Sequence, residues 1–263
     1  MPKTQDEKAK IFQVLHEGEP FLIPNPWDAG SARVLAALGF QALATTSSGF
    51  AFTLGQRDGT VTLDEVVDHV SAIDRATDLP LSVDLENGYG ADPESCALAV
   101  TRVAEAGAVG GSIEDYDREG YVYDLDHAAA RVVAAVEAAR HLPFPFLLTA
   151  RAENLIRGRP DLEDTIQRLQ AFEAAGADVL YAPGLRTLEE IRAVCDAVAK
   201  PVNVLARPEF SVAEIFEAGT QRISIGGGLT WVAAEAATRA ARAMREGDLS
   251  GLGAAPPPGE WLA

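Results

Sequence analysis

The feature that most constrains the fold is an alternation of short apolar runs with longer, alanine-rich amphipathic stretches along most of the chain. Eight runs have the composition of buried strands: residues 21–26, 42–46, 81–85, 110–114, 146–150, 179–182, 202–205 and 222–226. They are continuously apolar rather than alternating, which is typical of parallel strands buried on both faces. Eight β–α units in 263 residues predict an α/β fold of the (β/α)8 TIM barrel type. An open, doubly wound sheet is the competing interpretation.

Several helical stretches end in a shared way, with a glycine directly after the last helical turn. The clearest stretches are residues 93–106, 127–140, 162–175 and 188–199, and the glycines are Gly39, Gly107, Gly176 and Gly219. Glycine readily adopts the left-handed conformation of a helix C-cap, so these positions are predicted helix ends. We predict one barrel domain over residues 1–263 with a C-terminal helical arm. The tail from residue 254, Ala-Ala-Pro-Pro-Pro-Gly, is predicted to be a non-helical surface arm or a subunit contact.

The composition limits the partners and the compartment. The formal net charge of −17 argues against nucleic acid and anionic membranes as partners. No apolar run approaches the roughly 18 residues of a membrane span, and the polar N-terminus predicts no signal peptide. Cys96 and Cys195 lie in helical patterns and are predicted to be buried free thiols, so we predict a cytoplasmic protein. So acidic a protein must capture an anionic substrate with a local metal or arginine.

Acidic side chains follow two predicted strands at the point where each strand ends. Asp84 and Glu86 are two residues apart and therefore face the same way, and Glu114 ends the next run. The active sites of parallel barrels lie at the carboxyl ends of the strands. Carboxylates gathered there predict a site for a hard cation, Mg²⁺. The alternative is that these acids form structural ion pairs with Arg57 or Arg151.

Two segments after the second predicted strand are candidates for holding or covering a ligand. Residues 45–49, Thr-Thr-Ser-Ser-Gly, are predicted to form a turn whose N–H and hydroxyl groups bind a carboxylate, or else an ordinary polar loop. Residues 50–60 are predicted to form a long connection before a helix that begins near Thr62. Its glycines allow it to act as a lid that carries Arg57 or Asp58 to the site. A solvated surface loop is the alternative.

Arg151 and Glu153 lie beyond the fifth predicted strand. A planar, permanently charged guanidinium suits a carboxylate or an enolate oxygen, and Glu153 is predicted to orient it. The alternative is a salt bridge on the barrel rim. The histidines do not cluster at strand ends and are predicted to take no part in catalysis; they are His16, His69, His127 and His141.

Six segments fall at or near these strand ends with a specific spacing. They are PNPWDAGSA at residues 24–32, TSSG at 46–49, LGQRD at 54–58, DLENGYG at 84–90, IED at 113–115 and ARAE at 150–153. Together they resemble the isocitrate lyase/phosphoenolpyruvate mutase superfamily. The resemblance extends from about residue 21 to residue 244, nearly the whole chain.

The resemblance implies an eight-stranded barrel whose last helix is swapped between the subunits of a homodimer or homotetramer. It implies Mg²⁺, with Mn²⁺ as an alternative, held around Asp84, with Asp58, Glu86 and Glu114 acting largely through water. The substrate it implies is a small 2-oxo carboxylate whose oxygens chelate the metal. Arg151 would stabilise the enolate, and the segment around Asp58 would be a gating loop.

The predicted site residues fall into three groups. The catalytic residues are Arg151, Asp58 and Glu114. The substrate-binding residues are Thr46, Ser47, Ser48 and Asn203, and the metal ligands are Asp84, Glu86 and Glu114. Asn203 is similar to an asparagine on the seventh strand of the lyases, which points to a second carboxylate on the substrate.

Two departures from the family pattern bear on the reaction. The lyases carry a Lys-(Lys/Arg)-Cys-Gly-His loop after the fourth strand, whereas residues 115–124 here contain neither cysteine nor histidine. The lyases have a glutamate, and the mutases a histidine, near the end of strand five or six, where this chain has Pro183. We hypothesise that Tyr116, Tyr121 or Tyr123 lies over the substrate.

These observations predict a Mg²⁺-dependent lyase that cleaves a C–C bond beside an α-oxo or α-hydroxy carboxylate through a pyruvate-like enolate. Oxaloacetate decarboxylation and methylisocitrate-type cleavage are two forms of this chemistry. One alternative is C–P chemistry, as a phosphonopyruvate hydrolase or mutase. The other is a non-catalytic protein that binds a 2-oxo acid, since a fold does not by itself fix a function.

Overall fold

Eight short parallel strands form one sheet in the computed structural model, which describes residues 2–254. The strands are β1 Phe21–Leu22, β2 Leu43–Ala44, β3 Leu81–Asp84, β4 Gly110–Glu114, β5 Leu147–Arg151, β6 Val179–Tyr181, β7 Val202–Leu205 and β8 Arg222–Ser224. Every predicted strand is therefore confirmed. The first two are shorter than predicted, although the N–H groups of Ile23 and Thr45 still donate to neighbouring strands.

The sheet closes on itself, so the barrel is confirmed and the open-sheet alternative is wrong. The strands pair in the order β1-β8-β7-β6-β5-β4-β3-β2, all in parallel. Between β1 and β2, the two ends of this order, the N–H of Ala44 donates to the carbonyl of Pro24 at 3.1 Å. The Asn25 side-chain amide adds a second bond there, to the Thr45 carbonyl at 3.0 Å.

Ten α-helices and a short 3₁₀ helix accompany the strands in the described part of the chain. They are α1 Gln5–Glu17, α2 Ala29–Ala37, α3 Ser47–Thr53, α4 Leu63–Asp74, α5 Pro93–Glu105, α6 Leu125–Arg140, α7 Leu162–Ala174, α8 Leu188–Ala197, α9 Val212–Glu217, α10 Gly228–Arg245 and the 3₁₀ helix Ser250–Ala254. From α4 to α9, each helix begins after a Ser, Thr or Asp whose side chain accepts a backbone N–H of the first turn. Between residues 2 and 254, no helix combines the length and apolarity that a bilayer span requires.

The core lies in two layers. The larger layer fills the space between the strands and the surrounding helices, with Leu148, Leu169 and Phe172 fully buried. A smaller cluster lies at the amino-terminal end of the barrel, where Phe12 of α1 packs with Phe21 and other apolar residues. Because α1 covers this end, the strands' polar carboxyl ends lie at the opposite mouth of the barrel.

The last long helix, α10, projects from the barrel. Thr230 is the one buried residue of its eighteen, and Trp231, Val232 and Met244 are exposed. Near the start of α10, the Trp231 ring meets the Phe52 ring edge to face. The predicted non-helical tail lies outside the described residues from position 255 onward, and the single-domain prediction over residues 1–263 likewise extends beyond them.

The segment after β2 differs from its prediction. Residues 45–49 are not a free turn, because Thr46 caps α3 and its hydroxyl accepts the N–H of Gly49. Residues 50–53 are helical rather than part of a long connection. The connection is therefore residues 54–62, and α4 begins after Thr62 as predicted.

The predicted C-cap glycines are confirmed by their backbone conformation. All four have positive φ, including +88° at Gly39 and +114° at Gly107. The two positions differ in their surroundings. A Cβ at Gly107 would lie 2.5 Å from Cγ of Asp74, whereas nothing lies within 4 Å of one at Gly39. The Asp74 carboxylate is in turn held by Lys8 at 2.8 Å.

We predict that Gly39→Ala lowers the free energy of unfolding by about 1–2 kcal/mol, the cost of a left-handed conformation. Gly107→Ala should cost more, because the new methyl group must also displace Asp74 from Lys8. Urea unfolding followed by circular dichroism measures both variants. Equal losses would contradict the proposed clash.

Candidate active site

Two connected groups of polar residues occupy the carboxyl-terminal mouth of the barrel. The outer group lines a cleft of about 440 Å³ between the loops after β2, β3, β4 and β5. The inner group lines a cavity of about 50 Å³ inside the barrel. Arg151 lines both spaces, so it marks the boundary between them.

Arg151 is the centre of the acidic cluster. Its Nη1 lies 3.0 Å from Glu114 Oε1 and 3.6 Å from Asp84 Oδ1. Its Nε donates to Glu153 Oε1. The parallel register explains part of this arrangement, because Glu114 on β4 pairs directly with Arg151 on β5. The guanidinium thus joins three carboxylates from three strand ends.

Glu153 is fully buried and held from both sides. Its backbone N–H donates to Asp115 Oδ1 at 2.7 Å, and Asp115 Oδ2 accepts from Arg168 at 3.0 Å. The second oxygen of Glu153 accepts from Arg157 Nε at 3.0 Å. Burial raises the pKa of Asp115 to about 6, while the bonds from Glu153 and Arg168 oppose the rise. This support fixes Glu153, and Glu153 in turn orients Arg151 as predicted.

Glu86 lies after β3 in a left-handed conformation, with φ +48°. Its Oε2 accepts from Arg118 Nη2 at 3.1 Å, whereas its buried Oε1 has no hydrogen-bond partner among residues 2–254. Burial raises the pKa of Glu86 to about 7, although Arg118 lowers it. Burial likewise raises the pKa of Glu114 well above its usual range, against the attraction of Arg151. The site therefore holds buried carboxylates without full compensation.

The donor set suits a hard divalent cation. The candidate ligands Asp84, Glu86 and Glu114 offer only oxygen, and the Oε1 atom of Glu86 is buried without a proton donor among the described residues. Within residues 2–254, no three acidic, imidazole or thiol groups are already gathered as a metal cage. Arg151 and Arg118 lie against these acids instead. The residues thus fit a metal that keeps several waters rather than a closed protein cage.

The predicted substrate-binding hydroxyls lie along the start of α3. The Thr46 and Ser48 hydroxyls are 3.2 Å apart, and the Ser47 backbone N–H donates to Asp84 Oδ2 at 3.2 Å. Ser47 and Asp58 line the outer cleft, and Thr46 lines the inner cavity. Thr46, Ser47 and Asp58 therefore line the two spaces, whereas Ser48 lines neither and contacts Thr46.

Asn203 lines the inner cavity rather than the outer cleft, and each polar atom of its amide makes a hydrogen bond inside the barrel. Its oxygen accepts from Arg222 Nε at 2.9 Å, and its nitrogen donates to Ser224 at 3.0 Å. Arg222 also donates to Thr149 at 2.9 Å and lies 3.1 Å from His16 Nε2. Burial lowers the pKa of His16 to about 3, so this ring is neutral and accepts the bond from Arg222.

The loop after β4 replaces the cysteine loop of the lyases with a small hairpin. Tyr116 pairs with Val122, and Asp117 N–H donates to the Tyr121 carbonyl at 2.8 Å. Of the three hypothesised tyrosines, Tyr116 lines the cleft. Tyr121 is exposed, and the buried Tyr123 hydroxyl donates to Asp117.

Arg118 and Arg157 are site residues that the sequence analysis missed. Arg118 Nη2 donates to the Val61 carbonyl at 3.2 Å as well as to Glu86, and thereby joins the loops after β2 and β4. The Arg157 guanidinium lies 4.0 Å from the centre of the Tyr116 ring. Arg157 had one detectable signal, its position four residues after Glu153, which suits an ion pair within a helical turn.

Arg131 of α6 was also missed, and it holds the loop that carries Glu86. Its Nη1 donates to the carbonyls of Gly90 at 2.8 Å and Ala91 at 2.6 Å, and its Nη2 donates to Asn87. Arg131 is buried and its guanidinium stacks on Tyr123 at 4.5 Å. One cation therefore satisfies several carbonyls of an irregular loop that has no regular backbone pairing.

Known proteins are similar to this chain in both sequence and fold. A model of the phosphoenolpyruvate phosphomutase family matches residues 12–245. The oxaloacetate decarboxylase of Paraburkholderia xenovorans is 34% identical over 218 residues, covering 79% of this chain and 71% of that protein. The 2-methylisocitrate lyase of Halalkalibacterium halodurans is 30% identical over 228 residues, covering 83% and 73%. The crystal structure of a suspected lyase/mutase from Burkholderia cenocepacia J2315 superposes with a TM-score of 0.95 and 48% identity over 98% of this chain and 97% of that one.

A closed parallel barrel with charged groups at the carboxyl ends of its strands is the architecture of (β/α)8 enzymes. The chain belongs to the phosphoenolpyruvate phosphomutase family, within the isocitrate lyase/phosphoenolpyruvate mutase superfamily. The resemblance stated from its sequence segments is thereby confirmed.

We predict that Arg131→Met speeds amide hydrogen exchange in residues 87–92 by about tenfold or more, since hydrogen bonds to a charged donor contribute roughly 1.5–3 kcal/mol each. Hydrogen-exchange mass spectrometry measures the change. Arg140→Met, on the exposed end of the same helix, is the control and should leave that segment unchanged. Unaltered exchange in Arg131→Met would show that the loop holds its shape without the arginine.

Proposed function

We propose that the protein is a Mg²⁺-dependent lyase that cleaves a C–C bond beside a 2-oxo or 2-hydroxy carboxylate. The observation that carries the proposal is the position of Arg151 among Asp84, Glu114 and Glu153 at the barrel mouth. The names of the two curated relatives support this class, because oxaloacetate is a 2-oxo acid and 2-methylisocitrate a 2-hydroxy acid. Oxaloacetate decarboxylation is one concrete form.

Asp84, Glu86 and Glu114 are the proposed ligands of the metal, directly or through water, and Asp58 is proposed to hold one of its waters. When bound, Mg²⁺ or Mn²⁺ would act as a Lewis acid toward the oxo and carboxylate oxygens of the substrate. Thr46, Ser47 and Ser48 are proposed to bind the substrate carboxylate through hydroxyl and backbone groups. The connection at residues 54–62 is proposed to cover the site.

Arg151 is the proposed charge clamp for the enolate that remains when the C–C bond breaks. Its contacts with Glu114 and Glu153 fix the guanidinium before the substrate arrives, so little reorganisation is needed as negative charge develops. The surrounding burial strengthens this interaction, because few waters screen the charges.

We also propose a homodimer or homotetramer in which α10 packs on a neighbouring subunit. The helix is exposed along nearly its whole length and carries Trp231 and Val232 on its surface. The proposed compartment is the cytoplasm, because Cys96 and Cys195 are free thiols; the former is buried and the latter, contrary to prediction, only partly buried.

We predict that Asp84→Ala abolishes turnover while the fold is retained, and that Arg151→Lys lowers kcat by about 10²-fold, since lysine cannot reproduce a preorganised guanidinium. Proton and phosphorus NMR would follow oxaloacetate, 2-methylisocitrate, isocitrate and phosphonopyruvate with Mg²⁺, and circular dichroism would verify the fold of each variant.

The proposal is supported if the wild-type protein, but not Asp84→Ala, consumes oxaloacetate, 2-methylisocitrate or isocitrate by cleaving a C–C bond. Ordinary activity in Asp84→Ala would overturn the metal assignment. Release of phosphate from phosphonopyruvate would instead establish C–P chemistry, and ligand binding without any turnover would establish a binding protein.

We predict that Val232→Asp lowers the oligomeric state, because a charge placed on an apolar interface loses its hydration. Light scattering coupled to size-exclusion chromatography measures the molar mass. Val14→Asp is the matched control, since Val14 of α1 is 64% exposed and Val232 is 66% exposed. A monomeric wild-type protein would contradict the proposed assembly.

A further inference from the structure

The outer cleft contains three arginines, each with a guanidinium nitrogen that no protein group occupies. Arg118 makes both of its hydrogen bonds through Nη2. Arg151 uses Nε and Nη1, and Arg157 uses Nε and Nη2. Among the described residues, this leaves Nη1 of Arg118, Nη2 of Arg151 and Nη1 of Arg157 without a protein acceptor. A single carboxylate does not need three such cations.

The three arginines lie at different depths. The side chain of Arg151 is 15% exposed, whereas those of Arg118 and Arg157 are 36% and 35% exposed. Arg151 borders the inner cavity, and the other two line only the outer cleft. Arg118 and Arg157, which we call the outer arginine pair, are therefore placed for a group farther from the barrel axis than the one at Arg151.

Both members of the outer arginine pair are already fixed. Arg118 is held by Glu86 and the Val61 carbonyl, and its guanidinium lies 4.8 Å from the centre of the Tyr89 ring. Arg157 is held by Glu153 and stacks on Tyr116. Side chains fixed before binding lose little conformational entropy when a ligand arrives. Their planar donors match a carboxylate better than a flexible lysine would.

We propose that the outer arginine pair is a second anion subsite that recognises a carboxylate at the far end of the substrate. This inference rests on the proposed function and narrows its substrate class to dicarboxylic 2-oxo or 2-hydroxy acids. The sequence analysis had assigned a second carboxylate to Asn203. Each polar atom of that amide already makes one hydrogen bond inside the barrel, whereas the outer arginine pair lines the outer cleft, and we therefore assign the distal carboxylate to the arginines.

The test compares ligands that differ only in the distal group. Calorimetric titration with Mg²⁺ present would use 2-oxoglutarate against 2-oxovalerate, and oxaloacetate against 2-oxobutyrate, so that two chain lengths are covered. The wild-type protein should bind at least one diacid about tenfold or more tightly than its matched monoacid. Arg118→Gln and Arg157→Gln should each remove most of that preference while leaving the affinity for the monoacid within about twofold.

The controls separate recognition from damage. Arg102→Gln removes an exposed arginine that pairs with Asp64 at 2.8 Å on the surface, and it should leave both affinities unchanged. Arg118→Lys retains the charge and should restore part of the preference. The affinity for the monoacid reveals any loss of metal binding that results when Glu86 loses its partner Arg118. Such a loss would lower the affinities for the monoacid and the diacid together.

Each outcome decides the matter. Equal wild-type affinity for diacid and monoacid at both lengths overturns the subsite while the proposed function stands. Parallel loss of both affinities in the two Gln variants shows that the arginines serve only as counter-ions, and also overturns it. If the wild type binds none of the four acids, the subsite is overturned, whereas the proposed function is decided separately by the NMR assay, which includes 2-hydroxy acids.

Discussion

The contact of Arg151 with Asp84, Glu114 and Glu153 is the interaction on which the mouth of the barrel depends. Removing charged groups from water is costly, and the cost is offset in part here because three carboxylates lie against one guanidinium. The carboxylates around Arg151 outnumber that single cation. Arg118 and Arg157 reduce this excess of negative charge from the side of the outer cleft. Ion pairs, rather than apolar packing, therefore connect these side chains.

The barrel topology accounts for how these charges meet. Parallel strands place their carboxyl ends side by side, and the register sets Glu114 beside Arg151 and Arg151 beside Tyr181. The opposite end is closed by the apolar residues of α1 around Phe12. Polar groups therefore accumulate at one mouth, where the loops alone decide which ligand is admitted. Family relatives with different reactions share this scaffold, which is the expected division between fold and chemistry.

Most of the scaffold and the acidic cluster of the site could be predicted from the sequence, because both depend on local signals. Apolar runs define the strands, and acids at their ends define the cluster of Asp84, Glu86 and Glu114. Arg118 and Arg131 could not be predicted, because their partners are backbone carbonyls and acids distant in the chain. The start of α3 was missed because Thr and Ser favour turns as well as helix caps, and only the bond from Gly49 to Thr46 distinguishes them.

The double attachment of Arg118 has a consequence for any movement of the loops. One nitrogen bonds both to the Val61 carbonyl, at the end of the connection 54–62, and to Glu86, in the loop after β3. The bond to Val61 is a hydrogen bond to a neutral carbonyl, so an outward movement of the connection would break it without breaking the ion pair with Glu86. If the connection covers the site as proposed, opening it would leave Arg118 attached to the loop after β3, where it still lines the cleft.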